Sequence, residues 1–122
     1  MTAAGPESAI DGGSKLGFSV SAAPSDGGGT SVTVFGELDM ASAATLRRAL
    51  DEAIDAGDGD IELDMRACSF VDSTGIATLV TAGRRLGEQQ RVLRIRGARE
   101  RVSRILELAG LPAQGWVALE PE

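Results

Sequence analysis

Two short segments carry the groups on which chemistry could act: Asp72-Ser73-Thr74-Gly75 and Gly36-Glu37-Leu38-Asp39. A serine hydroxyl beside an aspartate can serve as a nucleophile or as the acceptor of a phosphoryl group. The first role needs a base to take the proton. The chain has no His, which removes the commonest general base and every Ser-His or Cys-His arrangement. The sole lysine, Lys15, lies in a small polar segment remote from Ser73. No catalytic residues are therefore assigned, and the chain is expected not to be an enzyme. The same tetrapeptide has a purely structural reading. Asp, Ser and Thr all cap helix starts, and Gly75 would let the chain turn tightly.

Other candidate sites fail on spacing. Asp58, Asp60, Glu62 and Asp64 lack the Gly and closing Glu of a calcium loop. Without His, and with Cys68 as the only cysteine, no metal site or intramolecular disulfide is expected. Cys68 reads as a small core residue. Gly27-Gly28-Gly29 leads into a strand with no Lys following, so it is a hairpin loop and not a phosphate cradle. No cofactor is implied.

The elements that position the two segments follow from periodicity. Leu16, Phe18 and Val20 alternate with small residues, suggesting a short first strand. Thr30 to Leu38 is rich in β-branched residues and reads as a second. Ser42 offers an N-cap for a helix over Ala43 to Ala56, whose Ala43, Leu46, Leu50, Ala53 and Ile54 recur at helical spacing. Ile61, Leu63 and Met65 alternate with Glu62 and Asp64, giving a strand over Asp60 to Met65. Phe70-Val71 is a short approach to Asp72, and a second helix then ends near Gly87. Val92 to Arg96 is a strand and Arg99 to Ala109 a helix, closed by Gly110 and Pro112. Trp116 to Leu119 supplies a last short strand.

Alternating β and α elements imply parallel strands joined by right-handed crossovers. The expected fold is α/β: a mixed sheet of four to five strands with an antiparallel N-terminal strand, packed against three helices. Both chemical segments then fall at the carboxyl ends of their strands, the edge where such sheets place their sites.

The 122 residues suit one domain; 43% are hydrophobic and 25% charged. Residues 1–15 are small and polar and are expected to be a flexible tail, with the domain over 16–122. The net charge of −6 disfavours nucleic acid and anionic membranes as partners. No run approaches the ~20 apolar residues of a membrane span, and no signal peptide is evident, so a cytoplasmic location is expected. Charge is unevenly spread. Asp51 to Asp64 holds seven acids and no base, whereas Arg84 to Arg104 holds eight arginines against Glu88 and Glu100. The arginine run is either a solvated face or a surface for an acidic protein. The Ala- and Gly-rich helix from Thr74 to Leu86 could pack on its own copy, so a monomer or weak dimer is expected.

Gly36-Glu37-Leu38-Asp39, Ile61-Glu62-Leu63-Asp64 and Phe70-Val71-Asp72-Ser73-Thr74-Gly75-Ile76 together resemble the STAS domain, and in particular its bacterial anti-sigma factor antagonists. Arg101 to Leu111 has the family's look as well, so the likeness runs from about Phe18 to Leu119. The resemblance implies a binding protein whose unmodified form holds an anti-sigma factor, often itself a serine kinase, and so frees a sigma factor. Phosphorylation of the residue aligned with Ser73 would end that binding, and a phosphatase would reset it. Asp39, Asp72, Ser73, Thr74 and Gly75 become the implied partner-binding residues. The alternative within the fold is a STAS subunit of a stress-signalling scaffold or a lipid-transport complex.

Overall fold

The computed structural model describes residues 17–121. The tail expected over residues 1–15 lies outside them, as does Leu16. Along the described chain run β1 (Ser19–Pro24), β2 (Thr30–Leu38), α1 (Ala43–Ala56), β3 (Ile61–Val71), α2 (Ser73–Glu88), β4 (Leu93–Arg96), α3 (Glu100–Leu108) and β5 (Val117–Glu120). The sheet has five strands in the order β1-β2-β3-β4-β5. β1 is antiparallel to β2, and the remaining pairs are parallel. The mixed sheet with an antiparallel N-terminal strand and three helices is the fold expected from the sequence.

Alternation decides which face is covered. Val32, Val34, Ile61, Leu63, Met65, Leu93, Ile95 and Val117 belong to one core cluster with Leu46, Leu50 and Ile54 of α1, Leu79 and Leu86 of α2, and Val102 and Leu106 of α3. The residues between them on the strands, such as Thr33, Glu62, Asp64, Arg94 and Arg96, are not buried. All three helices therefore pack on one side of the sheet, and among the described residues no helix covers the other side. Cys68 is fully buried in this core, and burial pushes its thiol above the ordinary value, offset only in part by backbone hydrogen bonds and the charge of Arg99.

Two strands differ in extent from the sequence reading. The first strand starts at Ser19 and runs through Ala22 and Ala23 to Pro24; pairing with Ser31 to Phe35 holds these weak strand formers extended. β3 extends to Val71 because β2 follows it the whole way, through two register irregularities between Thr33 and Phe35 and between Gly36 and Glu37. β4 accompanies β3 only from Ile61 to Asp64, so the far half of β3 projects past β4. The small residues of α2 are divided: Ser73, Ala77 and Thr81 are exposed. Ala82 and Gly83 are buried, and a Cβ on Gly83 would meet the Trp116 ring at 2.6 Å. Ala82 and Gly83 are therefore not available for packing on a second copy.

The two charge runs meet each other. In the parallel register Glu62 lies level with Arg94 and Asp64 with Arg96. Arg94 pairs with Asp60 at 3.0 Å and Glu120 at 2.7 Å, and Arg96 reaches Glu62 at 3.6 Å. On the helical side Arg85 of α2 pairs with Asp51 and Asp55 of α1 at 2.8 and 3.1 Å. Such exposed pairs add little stability each; three arginines of the run, Arg85, Arg94 and Arg96, face acids of the chain itself. Arg91 is different. It is only 5% exposed, and its guanidinium donates to the carbonyls of Gly59 (2.8 Å) and Ile54 (3.0 Å) and to Gln89 Oε1 (2.6 Å). A buried cation thus closes the carboxyl end of α1, where helix carbonyls lack partners and favour positive charge.

Candidate functional site

The site is built where β2 and β3 end together. Leu38 and Val71 are paired at the last register position, and the Asp72 N–H donates to the Leu38 carbonyl at 3.1 Å. The loop after β2 and the start of α2 are thereby joined, as the shared sheet edge required. Gly36 prepares this convergence. Its φ of +104° and the Gly17 carbonyl in the place of a Cβ admit only glycine.

The loop carrying Asp39 is shaped by its own polar groups. Asp39 Oδ1 accepts the N–H groups of Ala41 and Ser42 at 3.0 and 3.2 Å. Ser42 Oγ accepts the Asp39 N–H at 3.0 Å and donates to the Glu37 carbonyl at 2.7 Å. Ser42 occupies the N-cap position of α1 but makes no capping hydrogen bond with its side chain. Its hydroxyl points back toward the strand and is fully buried. The expected helix start is right, and the expected hydrogen bond is replaced by a lock on the loop. The Oδ1 of Asp39 is likewise engaged within the loop, so its carboxylate shapes what the loop displays. What it displays is Met40, 78% exposed.

At the other segment Asp72 has the extended backbone of an N-cap, and its Oδ1 accepts the Gly75 N–H at 3.1 Å. This satisfies one of the donors a helix start leaves open. Ser73, the first helical residue, is exposed, and Thr74 is half-buried. Gly75 is buried within the helix, and its φ is not positive. A Cβ there would stand 2.6 Å from Leu38 Cγ and 2.9 Å from Val71 Cγ2. Glycine is present so that α2 can sit directly on the two strand ends, and not to make a tight turn as the sequence suggested.

Two more apolar residues are displayed near this edge. Phe35 is level with Ala67, and Phe70 with Glu37; the two rings are 45% and 41% exposed. The sequence reading did not single out Met40, Phe35 or Phe70 as surface. Strict alternation from Val32 and Val34 would have turned Phe35 outward, and the same logic sets Phe70 opposite Val71. Met40 had no such signal, since its display depends on the Asp39–Ser42 lock. The structure brings Asp39, Asp72, Ser73, Thr74 and Gly75 to one edge. Among the described residues no cluster of metal-ligating side chains occurs, and no helix is long and apolar enough to cross a membrane.

This fold, with a capped Asp-Ser-Thr-Gly helix start set against a Gly-Glu-Leu-Asp strand end, defines a class of small α/β domain. A family model described as "Mlab, STAS domain" matches residues 21–118. The chain belongs to the STAS domain family. Its curated relatives include the anti-sigma-B factor antagonist of Staphylococcus aureus (strain NCTC 8325 / PS 47), 32% identical over 80 residues, which are 66% of this chain and 74% of the relative. Among solved structures, an anti-sigma factor antagonist from Mycobacterium paratuberculosis is 26% identical with a TM-score of 0.70, over 84% of this chain and 86% of that one. The fold is also that of the anti-sigma factor antagonist SpoIIAA in its unphosphorylated form, at a TM-score of 0.60 and 19% identity, over 75% of this chain and 82% of that one. SpoIIAA of Bacillus has been solved in its phosphorylated form as well.

Proposed function

We propose that this chain is an anti-sigma factor antagonist whose unmodified form binds an anti-sigma factor with serine kinase activity, releasing a sigma factor, and whose binding ends on phosphorylation of Ser73. A phosphatase then restores the binding form. The observation that carries the reading is the placement of Ser73: an exposed hydroxyl on the first residue of α2, on an edge that also displays Met40 and Phe70. A kinase needs a reachable hydroxyl, and a partner needs apolar surface to cover.

The physical chemistry suits a switch. A phosphate brings about −1.5 to −2 charges to a surface that already carries Asp72. The helix N-terminus accommodates that charge within the folded chain, whereas a partner seated over Ser73 meets both its bulk and its field. Asp72 and Gly75 then serve by fixing the helix start, and Asp39 by fixing the loop beside it. The test is affinity capture from a cytosolic extract of the source cells with the unmodified chain and with Ser73→Asp, both immobilised. The unmodified chain should retain a serine kinase that Ser73→Asp does not. Equal retention by both, or no kinase on either, would remove the reading.

A further inference from the structure

We infer that the groove between α3 and the free edge of β5 is a docking site for an extended, basic segment of a partner protein. The groove is well apart in sequence from the residues of the switch and encloses about 430 Å³. Its floor is Ile95, Ala98 and Leu119, and its rim on α3 is Glu100, Ser103 and Glu107. It exists because α3 packs mainly against β3 and the turn Leu111–Gln114, drawn over by the part of β3 that projects past β4. The inner face of β5 at Leu119 is left half-covered.

Three features specify the occupant. β5 is the last strand of the sheet. The carbonyls of Trp116 and Glu120 accept from β4, at Leu93 and Gly97. Alternation along a parallel strand therefore directs the N–H and C=O of Val117 and Leu119 outward, where an added strand would pair with them. The floor calls for an aliphatic side chain from that strand. The rim calls for positive charge. Glu120 is already matched by Arg94 and Arg96, but neither Glu100 nor Glu107 has an ion-pair partner among the described residues. Glu100, in the first turn of α3, is favoured by the helix dipole. Glu107 stands in the last turn, where the dipole opposes it and no basic residue is present. An acid in that place without a cation is complementary to one brought from outside. A second copy is disfavoured as occupant by the same rim, which would set like charges across the pairing.

The probe is a nine-residue peptide alternating Arg and Val, titrated into the ¹⁵N-labelled full chain, with a Glu-Val peptide of equal length as control. The Arg-Val peptide should shift the amides of Val117 to Glu120 and of α3, and Glu100→Gln/Glu107→Gln should weaken it about fivefold, as expected for two exposed charge pairs. Leu119→Ser should weaken it independently of charge. The inference is overturned if the Glu-Val peptide produces the same shifts, if the shifts centre on the acidic surface at Asp51 and Asp55, if no amide moves at millimolar peptide, or if the double variant binds unchanged. Dimerisation of the chain through β5, seen by sedimentation, would overturn it equally.

Discussion

The Asp72 N–H donates to the Leu38 carbonyl at 3.1 Å, so the end of β2 and the start of α2 are tied directly to each other. Asp39 follows Leu38 directly, and Ser73 follows Asp72. Each segment can be tested through its own residues.

Phosphate should be found on Ser73 and not on Thr74. Ser73 is the exposed hydroxyl, whereas Thr74 is half-buried and its carbonyl accepts the Thr78 hydroxyl at 3.1 Å. Mass spectrometry after incubation with the captured kinase and ATP should place the modification on Ser73 in the unsubstituted chain and in Thr74→Ala. Ser73→Ala should bind the kinase but never be released by ATP. Phosphate on Thr74 would refute the assignment.

Gly75→Ala should destabilise the domain, although alanine is the better helix former. The helix propensity gain of up to about 1 kcal/mol is set against a Cβ placed 2.6 Å from Leu38 Cγ and 2.9 Å from Val71 Cγ2. Overpacking of this kind costs about 1–3 kcal/mol, and both contacts are with side chains rooted in strands. Urea unfolding should show a lower midpoint; an unchanged or higher one would mean that α2 shifts freely.

Ser42→Ala should loosen the Asp39 loop. It removes the acceptor of the Asp39 N–H and the donor to the Glu37 carbonyl, both part-buried, at a cost of about 1 kcal/mol. Ser42→Thr, which keeps the hydroxyl, should recover much of this. Asp39→Ala should weaken kinase binding through the loop, so hydrogen exchange at Ala41 and Ser42 should quicken in parallel. Lost binding with unchanged exchange would return Asp39 to the role of a direct contact.

Asp64 gives the chain an acid-sensitive pair. The hydrogen bond from Arg66 is the largest influence and holds its carboxyl below the ordinary 3.8, assisted by the Arg66 backbone N–H and by the charges of Arg66 and Arg96, against partial desolvation. A carboxyl lowered on folding stabilises the folded state above the ordinary value, and that contribution fades as pH falls through the lowered one. Asp64→Asn should be less stable than the unsubstituted chain at neutral pH, and the gap should close on acidification below 3.8. A constant gap across a pH series of urea unfolding curves would contradict this.

Much of this arrangement is legible from residue order. Leu46, Leu50 and Ile54 mark α1, and Ile61, Leu63 and Met65 mark the covered face of β3, because each pattern repeats without interruption. Legibility ends where contacts between distant segments decide. Ser21, Ala22 and Ala23 have little strand preference and are extended by their pairing with β2. Arg66 to Ser69 lose the alternating period where the register shifts. Gly75 has the look of a turn glycine because Leu38, which it touches, is far away in sequence. Arg91 sits among arginines that are exposed or paired at the surface, and only the fold shows that it alone is buried. At the site, the sequence located all five residues on one edge but not the inward bonds that occupy Asp39 and Ser42.

Arg91 has a wider consequence. It ties the carboxyl end of α1 to Gly59 and Gln89 at the sheet edge opposite Ser73. The anchorage of the helical layer and the place of modification thus occupy different ends of the molecule. Under the proposed switch, a phosphate on Ser73 would therefore add its bulk and charge at the end of the strands remote from the buried contacts of Arg91, and its removal would leave those contacts untouched.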